Sequence, residues 1–552
     1  MWYVADFETT TTAVSEDSSK VWLYAICDEN AEIVNFGKSI EEFFEFIQRL
    51  KGCEIYFHNL AFDGVYILSY LFNNDFPQYK EGIRKSNNKG FSTLIGDMGQ
   101  FYEIKINFAR GKQVTILDSL KLINSKVSKI AKDFGLEEEK LHINYDDATV
   151  GEQQLQYVFN DVIIVAKALK IVKELGNDKM TVGSSAYHQL QKFNKNLIKL
   201  CPPLEEEWLL EWRKAYRGGR SQVNPLYKGK ILRNVYRFDI NSMYAYIQYA
   251  LPLPIGQPIK ISKRNTFKCE LYKVKITFAL KDKHIPSLLK SGGIYAENKY
   301  YIESDLDEII YITNIDYELL ERNYNIYSVE FLEMYGFYTT TTLFKDFIEY
   351  YYDIKNNSVG AKKAFAKSML VNSYGKFGTK LYAKSKFPVL QDGVIKYETG
   401  ELEERKKYYL PIALFVCSWA HMLLDNAIQY VGYNNFVYCD TDSVHALVKL
   451  DEKMIHPKYL GKFKLEAIET TAKYVRQKCY VTKENGNWHI TCSGLPQDTK
   501  DGVIKYYGDD IINKFDIGFE VLPNNEEGIK PKLRHTNVVG GVLLKPTPFK
   551  IR

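Results

Sequence analysis

Paired carboxylates are the residues of this sequence whose types and spacing could do chemistry. Asp6 and Glu8 end the first apolar segment, and the two-residue period of a strand puts both on one side. Asp63 follows a later apolar segment, and Tyr157 and Asp161 stand four apart on one face of an expected helix. Converging carboxylates repel one another unless they hold divalent cations. Two such cations, Mg²⁺ or Mn²⁺ on oxygen ligands, are a known device for hydrolysing phosphodiesters, and Tyr157 could orient the attacking water.

A second set of acids lies far along the chain. Asp239 ends an expected strand, and Asp440 and Asp442 form the tip of an expected hairpin. Acids at an apolar hairpin tip are costly unless cations pair with them. Two Mg²⁺ ions there would activate a primer hydroxyl and stabilise the pyrophosphate that leaves a nucleoside triphosphate. Taken alone, each of these acids could equally be a turn residue or a surface charge.

Between the two parts of this second set lies an expected helix with a basic stripe. Lys363, Lys367 and Tyr374 share one face, and no Glu is interleaved among them. The lysines can meet phosphates as point charges, while the tyrosine can pack on a base or sugar.

The elements that must position these residues fall into two halves. The first half alternates strands and helices and predicts an α/β domain of about 175 residues, ending near residues 176–178. Its expected elements are the strands Met1–Asp6, Val21–Asp28 and Cys53–Phe57 and the helices Ile40–Leu50 and Gln153–Lys170. The second half is mixed, with short β-like runs in an acidic stretch. Its other expected elements are the helical segments Thr342–Tyr374 and Ile412–Tyr430 and the strand pairs Phe387–Tyr397 and Phe436–Val448.

Composition and charge indicate a nucleic-acid partner. The 552 residues suggest about three to four domains. The net charge is only +5, yet residues 212–238 and 355–386 each hold eight basic residues and no acid, which is typical of a phosphate-binding surface. Residues 297–333 are strongly acidic and are not expected to lie along a phosphate backbone. The 42 Tyr suit stacking on bases, although packing explains them equally well.

The eight Cys and the hydropathy pattern indicate a reducing compartment. No two Cys have the C-x-x-C spacing, so a zinc site or a disulfide framework is not expected. The N-terminal residues lack the features of a secretory signal. The uncharged run 408–424 is too polar to span a bilayer convincingly and predicts a buried helix. We therefore expect a cytoplasmic, monomeric protein without a membrane segment.

Taken together, these motifs resemble the family B DNA polymerases, and more closely the protein-primed phage polymerases of the phi-twenty-nine type. The resemblance covers nearly the whole chain. Three motifs match the family's proofreading 3′–5′ exonuclease: Asp6-Phe-Glu8, Asn59-x-x-x-Asp63 and Tyr157-x-x-x-Asp161. Three others match the domain-linking motif and the first and last polymerase motifs: Tyr216-Arg-Gly-Gly219, Asp239-x-x-Ser-Met-Tyr244 and Tyr438-x-Asp-Thr-Asp-Ser443.

The resemblance implies roles for individual residues. Its exonuclease metal ligands are Asp6, Glu8, Asp63 and Asp161, assisted by Tyr157, Lys140 and Ile143. Its polymerase metal ligands are Asp239, Ile240 and Asp442, supported by Asp440. The residues implied to bind the incoming dNTP are Ile240, Tyr244, Lys355, Lys363, Lys367 and Tyr374. Those implied to contact DNA or a terminal protein are Thr10, His58, Asn59, Phe62, Ser119, Leu120, Tyr216, Arg217, Gly218, Gly219, Ser242, Thr441, Lys478 and Tyr480.

The resemblance also implies a fold and a division into domains. The expected fold is an α/β and α+β multidomain chain, with a ribonuclease-H-like, DnaQ-type exonuclease before a right-hand polymerase of palm, fingers and thumb. Two terminal-protein-region insertions support priming and give processivity and strand displacement. The expected ranges are exonuclease 1–178, palm 179–251 and 412–507, first insertion 252–341, fingers 342–378, second insertion 379–411 and thumb 508–552.

The sequence departs from the family pattern in two places. Met243 and Ala245 replace a usual Leu and Pro. The usual Lys-x-x-x-Asn-Ser-x-Tyr-Gly motif appears here as Lys367-Ser-Met-Leu-Val-Asn-Ser-Tyr-Gly375, with Val371 at the Asn position. We therefore transfer roles to Lys367 and Tyr374 and none to the three residues before that tyrosine.

Other functions are less well supported by the sequence. An oligonucleotide-primed family B polymerase would not need the insertion at 252–341. A DNA-binding scaffold without activity would not need to keep all seven carboxylates. A reverse transcriptase would favour a Tyr-x-Asp-Asp hairpin and has no need of the N-terminal exonuclease.

Overall fold

A seven-stranded mixed sheet forms the N-terminal part of the chain. The structure, a computed structural model, describes residues 1–10, 17–141, 150–290 and 300–552. The sheet has the order β3-β2-β1-β4-β7-β6-β5, in which β4 runs parallel to β1 and β7 and the other neighbours are antiparallel. Its strands are β1 (Trp2–Thr9), β2 (Val21–Asp28), β3 (Ile33–Gly37), β4 (Cys53–Phe57), β5 (Gly90–Ile95), β6 (Phe101–Ala109) and β7 (Lys112–Asp118).

Helices cover both faces of this sheet, which is why β2 is apolar along almost its whole length. They are α1 (Ile40–Ile47), α2 (Leu60–Asn73), α3 (Val127–Phe134) and α4 (Glu152–Glu174). The long helix α4 packs on β1 and β2 and buries Val158, Val162 and Leu169 at helical spacing. Both expected helices and all three expected strands of this half exist. Strand β1 runs on to Thr9, beyond the predicted end at Asp6, α1 ends at Ile47 instead of Leu50, and α4 is longer than predicted at each end.

Short helices lead from this part into a second sheet. They are α5 (Val182–Phe193), α6 (Leu197–Leu200) and α7 (Glu206–Trp212). The five strands of the second sheet have the order β19-β10-β18-β17-β8. The elements around it are β8 (Ser221–Val223), β9 (Ile231–Leu232), β10 (Val235–Ile240), α8 (Met243–Ala250), α12 (Leu410–Val431), β17 (Phe436–Asp440), β18 (Ser443–Ala446) and β19 (Phe463–Glu469).

Two insertions interrupt this sheet. The first is a four-stranded sheet of β11 (Leu253–Lys260), β12 (Cys269–Leu280), β13 (Glu308–Thr313) and β14 (Tyr324–Thr340), with α9 (Asn314–Asn323) packed on it. Short β-like runs were expected here, but β12 and β14 are long strands, and the helix α9 was missed. The second insertion is the hairpin of β15 (Tyr382–Gln391) and β16 (Val394–Glu404).

Between the insertions stand two helices, α10 (Lys345–Asn357) and α11 (Gly360–Asn372). The segment predicted to be mostly helical is thus broken at residues 358–359, before Gly360, whose φ of +58° lies in the left-handed region that glycine tolerates best. Helix α11 packs against α3, α4 and α5, so this pair bridges the two halves of the chain.

The C-terminal elements form a hairpin-rich unit. They are β20 (Thr471–Arg476), β21 (Cys479–Glu484), β22 (Asn487–Cys492), α13 (Gln497–Tyr507), α14 (Ile511–Lys514), β23 (Glu520–Val521), β24 (Lys532–Val538), β25 (Gly541–Thr547) and β26 (Phe549–Lys550). The hairpin of β24 and β25 reaches back to the N-terminal part: the Tyr66 hydroxyl donates to the backbone oxygen of Val542 over 2.9 Å.

Helix α12 is the central support of the second half. Within the described residues it alone is long and apolar enough to cross a membrane by length and composition, and most of it is buried inside the protein. The predicted buried helix is therefore confirmed. The adjoining loop and α9 attach to it through buried Asp425, which accepts hydrogen bonds from Arg220 over 2.9 Å and Arg322 over 3.1 Å.

Replacement of this buried acid should destabilise the fold strongly. Asp425→Ala leaves the buried guanidinium of Arg220 without its counter-charge, and we expect a loss of about 3–5 kcal/mol, because removing one partner of a buried ion pair strands the other. Urea unfolding measures the loss. The control is Glu318→Ala, which removes the exposed partner of Arg322 and should cost less than about 1 kcal/mol. Equal effects of the two substitutions would contradict this assignment.

Candidate active sites

The first set of predicted carboxylates converges where β1, an interior strand of the N-terminal sheet, meets two helices. Asp6 and Glu8 lie on β1, Asp63 lies in the first turn of α2, and Asp161 lies on α4. Burial, reinforced by repulsion from Asp161, raises the pKa of Asp6 to about 7. Burial likewise raises the pKa of Asp63, with Asp6 and Glu8 adding to the effect. Raised pKa values of this kind are expected when several acids are buried close together, away from water.

The donor set of this cluster fits a hard divalent cation. Asp63 Oδ1 and Asp161 Oδ1 are buried and have no hydrogen-bond partner among the described residues. Buried carboxylate oxygens without a donor are costly, and oxygen ligands are what Mg²⁺ and Mn²⁺ prefer. In the described residues, however, no three His, Cys, Asp or Glu side chains already stand in the arrangement of a metal cage.

Lys140 stands where it can offset part of this charge. Its Nζ lies 2.5 Å from Asp161 Oδ2 and 5.0 Å from the ring centre of Tyr157. The sequence prediction thus brings Lys140, Tyr157 and Asp161 together. Ile143, the other residue of the predicted lysine motif, lies outside the described residues.

Polar residues beside this cluster are organised by an acid that sequence reasoning missed. The Asp118 carboxylate at the end of β7 accepts from the backbone N–H groups of Asn59 over 3.1 Å and Leu120 over 2.9 Å. His58 bonds Ser119 Oγ over 3.0 Å. Four residues predicted to hold a single DNA strand therefore form one connected loop cluster: His58, Asn59, Ser119 and Leu120. The available signal was an acid ending an apolar strand, as at Asp6.

Thr10 and Phe62 are the remaining two residues predicted to contact a single DNA strand. Thr10 Oγ1 accepts from the backbone N–H of Lys20 over 3.0 Å. The Phe62 ring lies edge-on to the His535 ring of β24, with 5.4 Å between ring centres. Phe62 therefore stands where the N-terminal part meets the C-terminal hairpin.

The second set of carboxylates meets on adjacent strands of the second sheet. Asp239 on β10 pairs with Ser443 on β18, and Ser443 also pairs with Asp440 on β17. The backbone N–H of Ile240 donates to the backbone oxygen of Asp442 over 2.8 Å. Burial, then repulsion from Asp442, raises the pKa of Asp239 to about 7, and burial raises that of Asp442 to about 6. The charged acids are unfavourable here, which fits a cation site.

The hairpin tip is held by the predicted linking motif. Thr441 has a φ of +61°, and its backbone N–H donates to the backbone oxygen of Arg220 over 2.7 Å. A Cβ on Gly219 would come within 3.1 Å of Thr441 Oγ1, so glycine lets the two loops approach closely. The residues Tyr216 to Arg220 therefore position the tip that carries Asp440 and Asp442.

Arg217 was predicted to contact DNA, but in the structure it has a structural role. Its side chain is only 3% exposed and donates to the backbone oxygens of Leu289, Ala215 and Tyr311. A guanidinium with three buried carbonyl partners cannot reach a phosphate in this structure. Arg217 thus fastens the loop to the first insertion, while Gly218 next to it is exposed.

Lys478 and Tyr480 border the same acids from the C-terminal side. Lys478 Nζ contacts both carboxylate oxygens of Asp440 at 2.7 Å, and its backbone N–H donates to the Tyr438 hydroxyl over 3.2 Å. The rings of Tyr480 and Tyr438 pack at 5.3 Å between centres. A cavity of about 480 Å³ joins this pair to the acids.

The lysines of α10 and α11 face the acids from the other side, whereas Tyr374, predicted on the same helix face as Lys363 and Lys367, lies two residues beyond the end of α11. The positive charge of Lys367 lowers the pKa of both Asp239 and Asp442 against the effect of burial. Burial, with repulsion from Lys367 and Lys363, lowers the pKa of Lys355, whose Nζ donates to Ser242 Oγ over 2.7 Å. The predicted lysines thus gather near the carboxylates.

Two stacked tyrosines close the floor of this space. The rings of Tyr244 and Tyr374 stack at 4.9 Å between centres and 25° between planes. Below them the buried thiol of Cys417 on α12 lies within hydrogen-bonding reach of Tyr374 and Tyr216. Cys417 thus connects the motif that begins at Tyr216 to the stacked pair of Tyr244 and Tyr374. No pattern in the sequence indicated this role.

The departure from the family pattern has a defined geometry. Val371 is 55% exposed, Asn372 turns its amide back onto the backbone oxygen of Ser368 over 2.8 Å, and Ser373 is buried. The exposed position of this helix end therefore carries an apolar side chain and no hydrogen-bonding group.

Comparisons with known proteins agree with this geometry. The family described as "DNA polymerase type B, organellar and viral" matches residues 48–153 and 147–459. The chain is 34% identical to the DNA polymerase of Bacillus phage Nf and 33% identical to that of Bacillus phage phi29, over all of this chain and 99% of each relative. Phi29 DNA polymerase complexed with primer-template DNA superposes with a TM-score of 0.89 and 30% identity, covering both chains completely.

The chain therefore belongs to the organellar and viral type B DNA polymerases. The predicted fold, an exonuclease domain followed by a polymerase domain, is confirmed. Within this family it is similar to the phi29-type phage enzymes, and it is a DNA-directed DNA polymerase that uses divalent cations.

The burial of Asp239, reinforced by repulsion from Asp442, predicts a stabilising substitution. The folded-state pKa of Asp239 is raised to about 7, above its ordinary value of 3.8. Its contribution to stability is therefore complete below about pH 4 and is lost as the pH rises through 7. Asp239→Asn should raise the unfolding free energy by roughly 1–2 kcal/mol at pH 8 with a chelator, after allowing for solvent screening. It should give no gain at pH 4.

Thermal unfolding with and without Mg²⁺ checks this expectation. Mg²⁺ should stabilise the natural chain more than Asp239→Asn, because the variant has lost one anionic ligand. Glu452→Gln, at an exposed acid of the same half, is the control and should change neither midpoint. A variant that is less stable than the natural chain at pH 8 in chelator would refute the repulsion argument.

Proposed function

We propose that this DNA polymerase has two separate metal-dependent sites, one for synthesis and one for 3′–5′ digestion. The observation that carries the proposal is the presence of two distant sets of buried, mutually repelling carboxylates, each bordered by lysine. Asp239, Ile240 and Asp442 would hold the metals of synthesis, with Asp440 in support. The other metal ligands would be Asp6, Glu8, Asp63 and Asp161.

At the synthesis site the chain's own residues bind and orient. Two Mg²⁺ ions bound there would supply activation of the primer hydroxyl and neutralisation of the triphosphate charge. Lys355, Lys363 and Lys367 would meet the phosphates of the incoming dNTP as point charges. Tyr244, stacked on Tyr374, would form a rigid floor beneath the sugar that leaves no room for a ribose 2′-hydroxyl.

At the digestion site the chain's own residues would bind and orient the 3′ end of a DNA strand. Tyr157 would orient the attacking water, and Lys140 would offset negative charge that develops beside Asp161. The loop cluster organised by Asp118 would hold the terminal nucleotides. Its proposed contacts are Thr10, His58, Asn59, Phe62, Ser119 and Leu120.

The primer terminus would lie between the two borders of the synthesis site. Lys478 and Tyr480 would hold it on one side of Asp440. Tyr216, Gly218, Gly219, Ser242 and Thr441 would contact the template on the other. Gly218 and Gly219 would allow a backbone approach that a Cβ would obstruct.

We assign the domains as the sequence predicts. They are exonuclease 1–178, palm 179–251 and 412–507, first insertion 252–341, fingers 342–378, second insertion 379–411 and thumb 508–552. The first insertion would contact a terminal protein that supplies the priming hydroxyl. The second insertion, whose β16 lies against β24 of the thumb, would help encircle DNA and separate the downstream duplex.

Reciprocal substitutions test the two sites. Asp442→Ala should reduce dNTP incorporation to background and leave digestion of single-stranded DNA intact, because it removes a ligand from one site only. Asp6→Ala with Glu8→Ala should do the reverse. Primer extension and release of labelled 3′ nucleotides measure the two activities on the same preparations.

Matched controls replace an exposed acid in each half. Glu452→Ala should leave synthesis unchanged, and Glu32→Ala should leave digestion unchanged. Survival of both activities in Asp442→Ala would show that its site is misassigned, and loss of both would indicate a folding defect.

Rolling-circle synthesis tests the proposed role of the second insertion. On a primed circle without helicase or clamp, and with a competitor that traps dissociated enzyme, we expect products longer than the circle. Deletion of the hairpin tip at residues 391–394 should shorten them without reducing extension on single-stranded template. Stalling of the intact chain at the first duplex would defeat intrinsic strand displacement.

A further inference from the structure

Two cysteines face each other at the open end of the hairpin formed by β21 and β22. Cys479 begins β21 and Cys492 ends β22, and the two are directly opposite in the register. Their sulfur atoms are 3.5 Å apart, and both thiols are free. Neither residue entered the predicted chemistry of the sequence.

The backbone pairing favours a covalent bond between them. The next pair outward is hydrogen-bonded, since the Ser493 N–H donates to the Lys478 backbone oxygen over 2.9 Å. The cysteines therefore occupy a non-hydrogen-bonded position, where Cα atoms lie about 4.5 Å apart and side chains are closest. This separation falls within the range of about 4.4–6.8 Å that disulfides span, so the backbone can stay in register.

Within this pair, Cys492 differs from the other cysteines in its electrostatics, whereas the pKa of Cys479 is raised. Hydrogen bonding from the Cys479 thiol lowers the pKa of Cys492, and the charges of Arg476 and Lys500 act in the same direction. In the other six cysteines burial raises the pKa of the thiol: Cys27, Cys53, Cys201, Cys269, Cys417 and Cys439. Because the thiolate is the reactive form, Cys492 is the more reactive thiol.

Both cysteines are buried, within the hydrophobic core of the C-terminal unit. One hydrogen-bonded pair, Lys478 and Ser493, lies between the cysteines and the end of the ladder, and Ser493 and Gly494 are exposed. Strand ends open locally at low cost in free energy, so fraying of this end of the ladder would admit a small oxidant.

We propose that Cys479 and Cys492 form an oxidation site that takes a two-electron oxidant of the peroxide class and becomes an intramolecular disulfide. The Cys492 thiolate attacks a peroxide oxygen, breaks the O–O bond and becomes a sulfenic acid, with release of one water once the leaving hydroxide is protonated. The Cys479 sulfur then attacks the sulfenic sulfur and forms the S–S bond, and a second water leaves. Two thiols and one hydrogen peroxide thus give one disulfide and two waters.

The new bond would act on the strand that borders the synthesis site. Lys478 and Tyr480 flank Cys479 and point to the opposite side, toward Asp440 and Tyr438. Replacing the 3.5 Å contact between the sulfur atoms with a bond of about 2.05 Å fixes β21 against β22 and restrains the strand that carries these contacts. This effect on synthesis rests on the proposed role of Lys478 and Tyr480 at the primer, whereas formation of the bond does not.

The first measurement tests bond formation alone. The full chain is treated with hydrogen peroxide, free thiols are blocked, and the protein is digested without reductant for mass analysis. We expect one linked peptide pair, through Cys479 and Cys492, which is two hydrogen masses lighter than the reduced pair and is lost on treatment with dithiothreitol. Cys492→Ala should give no linked pair, and the control Cys53→Ala should still give it. Absence of the linkage from the natural chain overturns the proposal.

The second measurement tests its consequence on the same samples. Oxidation should reduce primer extension several-fold, chiefly by weakening primer binding, and dithiothreitol should restore it. The extension activity of Cys492→Ala should not respond to peroxide. A chain that forms the disulfide and keeps full extension overturns the effect on the primer. Lack of extension by the reduced natural chain would instead count against the proposed function.

Discussion

Repulsion among buried carboxylates is the interaction on which the rest of the structure depends. Asp6, Asp63 and Asp161 at one site, and Asp239 and Asp442 at the other, are held where charge is unfavourable, as their raised pKa values show. A folding chain would separate such groups if packing elsewhere did not forbid it. Each site must therefore be built on rigid elements, and each stores electrostatic strain that bound cations relieve.

Each cluster is held at a point where strands end and another element crosses. At the first site, β1 provides two acids and the helices α2 and α4 bring one each. At the second, β10 and the hairpin of β17 and β18 bring the acids together, and the loop containing Gly219 and Arg220 locks the hairpin tip. Asp425 then ties that loop to α12 and to the first insertion. The polymerase site is in this way coupled mechanically to the insertion that is proposed to meet a priming protein.

The acids were predictable from sequence because each follows an apolar strand or lies on an amphipathic helix, and those patterns are local. The same holds for β2, β4 and α12. The identity of the distant partner left no such local pattern, even where an acid ends an apolar strand as Asp118 does. Asp118 organises Asn59 from 59 residues away, and Cys417 reaches Tyr216 across two insertions. The helix α9 was not predicted because its charged face resembles the acidic strands around it; its buried face, which includes Ile315, Leu319 and Leu320, distinguishes it in the structure.

The two basic segments of the sequence contribute cations around the polymerase site, but individual residues in them have different roles. The acid-free segment 212–238 resembles a phosphate-binding surface, yet Arg217 and Arg220 are buried in structural contacts. Arg237 pairs with Glu469 and Glu484, far along the chain. A guanidinium can satisfy several carbonyl or carboxylate groups at once, so Arg is well suited to fasten loops around an active site. In the segment 355–386, by contrast, the cations are all lysines, and Lys363 and Lys367 remain exposed beside the acids. The division of labour follows side-chain chemistry: the arginines named here hold the site together, while these lysines leave mobile point charges for phosphates.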